Sequence, residues 1–166
     1  MTDFIYGLAD QFGSSMWGSI LLTFIVSMVP IVELRGALPL GVYMGLHPAV
    51  SLVVSTLGNM VPVPFILFFI KRIFRWLRKW SPRLERLVLR MEKKADKNSS
   101  LVTKYELVGL YILVAIPLPG TGAWTGALVA ALLDMKPKKA FPAIFFGVLT
   151  AGIVVMLITY GVKALL

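Results

Sequence analysis

The chain has 166 residues, 58% of them hydrophobic, a net charge of +9 and no cysteine. Its mean hydropathy of +0.83 excludes an ordinary soluble domain, where roughly 45–50% of residues are apolar, and the lack of cysteine excludes disulfides and thiolate metal sites. One histidine, His47, and eight scattered acids offer no metal cluster, and no paired acids or nucleophile motif suggest an enzyme. The expectation is an integral membrane protein of one domain, with no cofactor. Taken in chain order, the residues before position 35 include Asp3 and Asp10 but no Lys or Arg, so no signal-peptide n-region is read there. Four uncharged stretches follow, at residues 11–32, 36–70, 107–133 and 140–162, to be compared with the about 20 apolar residues that one crossing needs. The first stretch and the head of the second predict a hairpin with short arms at 16–29 and 38–45. Pro30, Gly36 and Pro39 flank its tip, and Glu33 and Arg35 lie on it. Gly45-Leu46-His47-Pro48 divides the second stretch and leaves residues 48–70 as a full crossing.

Residues 71–104 carry twelve of the seventeen Lys and Arg. Ile73, Leu77, Trp80, Leu84, Leu87, Met91 and Ala95 recur at helical spacing, which predicts a basic amphipathic helix, restarted at Ser81-Pro82 and ended by Asn98-Ser99-Ser100. Trp76 and Trp80 suit the headgroup level. Such a helix lies along the inner leaflet with anionic lipids as partners; the charge needs no nucleic acid, because a cytoplasmic loop obeying the positive-inside rule is equally basic. The stretch 107–133 has Pro117, Pro119, Gly120 and Gly122 at its middle. Proline removes a backbone donor, so the expectation is a second hairpin of two half-helices. Residues 140–162 form the last crossing.

The halves look duplicated. Gly36-Ala37 pairs with Gly122-Ala123, Pro48 with Pro137, and Gly58 with Gly147. The offset drifts from 86 to 89, implying three extra residues in the outgoing arm of the second hairpin. The predicted fold is an all-α integral membrane protein: an inverted repeat of two re-entrant helical hairpins and two full transmembrane helices, with the basic amphipathic helix cytoplasmic. Residues 1–70 are the first repeat, 71–104 the linker and 105–166 the second repeat. This arrangement puts 71–104 and 134–139 in the cytoplasm of a cell-membrane protein; four plain crossings would instead leave Lys136, Lys138 and Lys139 outside.

An ionisable group at bilayer depth costs roughly 2.5–3.5 kcal/mol on insertion scales, which makes Glu33 and Arg35 the first site candidates. They either pin the hairpin as a pair, or divide the work, Arg35 holding an anionic group and Glu33 exchanging a proton. The second tip offers Pro119-Gly120-Thr121-Gly122 backbone amides and the hydroxyls of Thr121 and Thr125. Asn59 is expected to bond a neighbouring helix, with a substrate role as the alternative. The candidate site is therefore Glu33, Arg35, Gly36, Pro39, Asn59, Pro117, Pro119, Gly120, Thr121, Gly122, Trp124 and Thr125. Gly41, Gly45, Gly58, Gly126 and Gly147 read as packing positions.

With Glu33-Leu34-Arg35-Gly36-Ala37-Leu38-Pro39 and residues Pro117 to Gly126 in hand, the chain resembles the small multidrug export protein family and, more distantly, the DedA superfamily of inverted repeats with paired re-entrant hairpins. The resemblance implies transport. DedA relatives carry an acid on the first hairpin, where Glu33 stands, and arginines in the second half, where this chain has none. The leading expectation is a proton-linked transporter or lipid translocase that moves an anionic lipid or lipid-phosphate through a midplane site between the two tips. A multidrug or cation exporter, or a channel, is the alternative. Membrane lipids are the expected partners, and a homodimer remains open.

Overall fold

A computed structural model describes residues 15–80, 82–118 and 121–161, and every regular element among them is helical. In chain order these are α1 (Met16–Met28), α2 (Glu33–Tyr43), α3 (Pro48–Met60), α4 (Pro62–Trp80), α5 (Pro82–Ala115), α6 (Ala123–Leu132) and α7 (Pro137–Met156), the last followed by a π-helical turn, Leu157–Gly161. By length and hydropathy two segments can cross a membrane, Pro48–Trp80 and Pro137–Gly161. The described residues fall into two compact units, one ending at Val61 and resuming at Val148, the other Pro62–Gly147.

In the first unit α1, α2 and α3 pack on one another. Ser15 caps α1, its hydroxyl accepting from the Gly18 N–H (3.2 Å), and His47 Nδ1 accepts from the Ala49 N–H (3.3 Å) ahead of Pro48 at the first turn of α3, where its missing N–H costs nothing. Val26, Ala37 and Leu40 form an apolar core. Leu34, Leu38, Leu46 and Met60 are buried as well, but so are Ser19, Thr23, Ser27, Ser51, Ser55, Thr56 and Asn59, while Trp17, Leu21, Ile25, Val53 and Leu57 are exposed. Apolar residues outside and hydroxyls inside suit a helical cluster whose solvent is lipid. The hydroxyls tie helices together, Ser51 donating to the Leu38 carbonyl (2.8 Å) and Ser19 to the Met44 carbonyl (3.2 Å).

In the second unit α4, α5 and α6 pack on one another. The last stretch of α5, Tyr105–Ala115, and α6 form a helical hairpin. Its two outer ends come back to one level, because Glu106 and Leu107 line the same cleft as Leu133, Met135, Lys136 and Lys139. Asp134 also pairs with Lys71 on α4 at 2.6 Å. That pair is exposed, so Lys71→Ala is expected to lower stability by less than about 1 kcal/mol, read as the thermal midpoint of the purified protein. An ion pair between Arg78 and Glu92 joins α4 to α5.

Several expectations need correction. The crossing expected at 48–70 is two helices broken at Val61, because Pro62 and Pro64 cannot donate to the preceding turn; α4 then runs on past Ile70 to Trp80. Asn98-Ser99-Ser100 do not end a helix: α5 continues through them and kinks at Glu106 (φ 47°, ψ −117°), since Asn and Ser cost far less in a helix than Pro. The first tip is only residues 29–32. Glu33 is the first residue of α2, adjoining that turn, and Arg35, Gly36 and Pro39 lie inside the helix, because Val29, extended ahead of Pro30 (ψ 127°), ends α1 early and the helix resumes at once.

Gly45 packs against nothing. With φ 86° it closes α2, and the Leu46 N–H reaches back to the Gly41 carbonyl (2.9 Å), a left-handed helix stop. Asp134 (φ 55°) closes α6 in the same way, with Met135 donating to Ala130 (2.9 Å). The pairing of Gly36 with Gly122 does not hold either, since Gly36 is inside α2 and Gly122 precedes α6. The matching landmarks are instead Glu33 and Gly122, both at positive φ; Gly45 and Asp134; Pro48 and Pro137; and Gly58 and Gly147, every pair 89 positions apart. The three extra residues are in the second turn, 116–122 against 29–32, and not in the outgoing arm.

Candidate functional site

Glu33 opens α2 and is only 6% exposed. Its backbone is left-handed (φ 50°), a conformation that costs a non-glycine residue roughly 1–2 kcal/mol. The positive end of the helix dipole favours a carboxylate there. Arg35, half-buried two residues on, is electrostatically coupled to it. Gly36 turns toward Val32, whose side chain a Cβ would strike. Pro39 sits within α2, so the Arg35 carbonyl lacks its usual donor four residues on.

Asn59 is in the same unit, buried in α3, and it departs from expectation: its Oδ1 has no hydrogen-bond partner among the described residues. Thr56 Oγ1, one turn earlier, shares that condition. The sequence reading missed Thr56. The signal available was a polar pair three residues apart just ahead of Pro62.

Pro117, Thr121, Gly122, Trp124 and Thr125 belong to the other unit, while Pro119 and Gly120 lie outside the described residues. The second tip uses much of its own polarity. Thr121 Oγ1 lies 2.8 Å from the carbonyls of both Ile116 and Leu118, and the Leu118 and Thr121 N–H groups bond back to Ile116 and Leu118 (2.8 and 3.2 Å). The Thr121 hydroxyl therefore donates its proton within its own turn and keeps only acceptor capacity for a ligand. Gly122 (φ 126°) precedes α6, and Thr125 is buried within that helix. Asn59 and the charged pair thus share one unit and the Pro/Gly tip the other. A cleft of about 390 Å³ in the second unit, lined by Val102, Glu106, Leu107, Leu133, Met135, Lys136 and Lys139, was not anticipated from sequence.

A polar stripe inside the first unit, apolar side chains exposed around it and two segments long and apolar enough to cross a bilayer suit a membrane protein. Residues 33–154 match the family described as "Putative small multi-drug export protein", and the chain belongs to that family. No curated protein and no solved structure matches the chain, and the wider likeness to the DedA superfamily is not shown by these matches.

Proposed function

We propose that the chain is a small proton-linked exporter in which Glu33 releases a proton as it takes up cargo and regains it on release. The observation that carries this is a buried carboxylate on left-handed backbone, at a position where the second unit has glycine, Gly122. An acid kept where glycine would relieve the strain marks a functional position, and ionisable groups at membrane depth are functional by default. Export of small molecules agrees with the family description. A buried carboxylate suits a lipophilic cation. One observation favours anionic lipid or lipid-phosphate cargo instead: half-buried Arg35 on the same turn, able to hold phosphate bidentately.

The hairpins read as re-entrant. Arms of 10–13 residues extend about 15–20 Å at 1.5 Å per residue, short of the ~30 Å hydrocarbon core. The Lys71–Asp134 pair supports placing 71–104 and 134–139 on one side, which the positive-inside rule makes cytoplasmic. On this reading the first hairpin enters from outside, the second from the cytoplasm, the two halves form an inverted repeat, and α4 and α5 rest on anionic inner-leaflet lipid. Single cysteines replacing Lys136 and His47 test it: a membrane-impermeant reagent added outside cells is expected to label position 47 and not position 136, and external labelling of 136 sinks the topology.

The function is tested in liposomes under an imposed pH gradient, comparing efflux of a fluorescent lipophilic cation with movement of a labelled lipid-phosphate, for the wild type, Glu33→Gln and Arg35→Ala. Cation efflux lost in Glu33→Gln supports the exporter. Lipid-phosphate movement lost in Arg35→Ala supports the second reading. If both variants match the wild type in both assays, neither reading survives.

A further inference from the structure

The buried polar face of α3 is not something the fold requires. Ser51, Ser55, Thr56 and Asn59 correspond, 89 positions on, to Ala140, Ile144, Phe145 and Val148 of α7. Ala140, Ile144 and Val148 are buried like their counterparts. The frame for this comparison is Gly58 and Gly147, which press on equivalent places: Gly58 on Ser27 and the Phe24 carbonyl, Gly147 on Val114 and the Tyr111 carbonyl. One half of the protein thus packs this helix face with apolar side chains, while the other spends oxygen atoms on it.

Two of the four oxygens are accounted for, Ser51 donating to Leu38 and Ser55 to the Ser51 carbonyl (2.8 and 2.6 Å). Thr56 Oγ1 and Asn59 Oδ1 are not. They are 4% and 2% exposed, and each such atom left unpaired costs roughly 1–3 kcal/mol. Three residues apart, they lie on one face of α3. That face ends at the break at Val61. Pro62 cannot donate to the Gly58 carbonyl, which the Val61 N–H takes instead (3.2 Å), and Pro64 cannot donate to the Met60 carbonyl. In α7 no proline follows Val148, and the helix runs on to Met156. The oxygens are therefore gathered at the negative end of a half-helix, inside a segment able to cross a membrane.

We infer that Thr56 Oγ1, Asn59 Oδ1 and the Met60 carbonyl bind a dehydrated alkali-metal cation. Hydroxyl, amide and carbonyl oxygens are hard ligands that suit a hard cation, and broken helices in transporters hold coupling ions with such groups at their C-terminal ends. The three ligands are neutral, which favours a monovalent ion over a divalent one. The register adds a functional link. The Ser51–Leu38 bond aligns α3 with α2, which runs the opposite way across the short turn at 44–47, so five residues onward in α3 and five back in α2 bring Thr56 level with Glu33. The site stands whether or not Glu33 carries cargo, so its test is binding and not transport.

The purified protein is melted in detergent with about 100 mM sodium chloride, potassium chloride or choline chloride. A midpoint about 3 °C higher in sodium or potassium than in choline is expected for the wild type. Thr56→Val and Asn59→Val, the latter copying the valine that the fold already accepts at 148, are expected to reduce that difference below about 1 °C. Thr56→Ser, which keeps the hydroxyl, is expected to retain it. Equal wild-type midpoints in all three salts overturn the inference, pointing to a water held by these oxygens. An alkali-cation shift that survives in both valine variants overturns the location.

Discussion

Gly58→Ala is expected to lower stability by about 3 kcal/mol, the upper part of the range for overpacking a tight contact. A Cβ at position 58 would overlap both Ser27 Oγ and the Phe24 carbonyl. Neither can move freely, because the Ser27 hydroxyl donates to that same carbonyl (2.7 Å) and the carbonyl is α1 backbone. The helices would have to separate, opening the polar interior that α1 and α3 share. Gly147→Ala gives the milder counterpart, about 1–2 kcal/mol, since its Cβ would meet Val114 Cβ at 2.7 Å and the Tyr111 carbonyl at 3.1 Å. Gly45→Ala separates crowding from conformation: nothing surrounds it, and only its left-handed backbone (φ 86°) should cost about 1 kcal/mol. Thermal midpoints in detergent rank the three. A Gly58→Ala midpoint within a degree of the wild type would refute the close packing of α1 on α3.

Glu33→Gly is expected to abolish transport while leaving stability unchanged or raising it by about 1 kcal/mol. Glycine removes the steric cost of φ 50° and the cost of burying a carboxylate, against a loss of roughly 0.5–1 kcal/mol in backbone entropy. Under the proposed mechanism the proton-exchanging group goes with it, so proton-linked efflux should fall on the order of 100-fold, the lower end of what a positioned acid–base group supplies. Glu33→Gln keeps the left-handed strain and loses the charge, and it should show the same transport loss without the gain in stability. A fully active Glu33→Gln leaves Glu33 as the partner of Arg35 that holds α2 in place, with no role in cargo.

The two halves carry several landmarks 89 positions apart. They share left-handed helix stops at Gly45 and Asp134, prolines at 48 and 137, and glycines at 58 and 147. They differ in what fills the same positions: Glu33 against Gly122, Thr56 against Phe145, Asn59 against Val148. At these positions the polar side chains are in the first half, and the second half has glycine or apolar ones.

Composition and pattern alone determined that this is a membrane protein, where its basic segment lies, and that Pro and Gly interrupt two of its apolar stretches, because hydropathy, charge and missing backbone donors are local properties of residues. The matching of Pro48 with Pro137 and Gly58 with Gly147 was legible for the same reason. Burial and hydrogen-bond partners are set by residues far apart in the chain, and only the tertiary structure decided them. It put Glu33 at the first residue of α2, beside the turn, bonded the Thr121 hydroxyl within its own turn, and joined Lys71 to Asp134. Thr56 had no distinguishing mark beside the buried Ser19, Thr23, Ser27, Ser51, Ser55 and Asn59 of the first unit until packing showed which oxygens had found a partner and which had not.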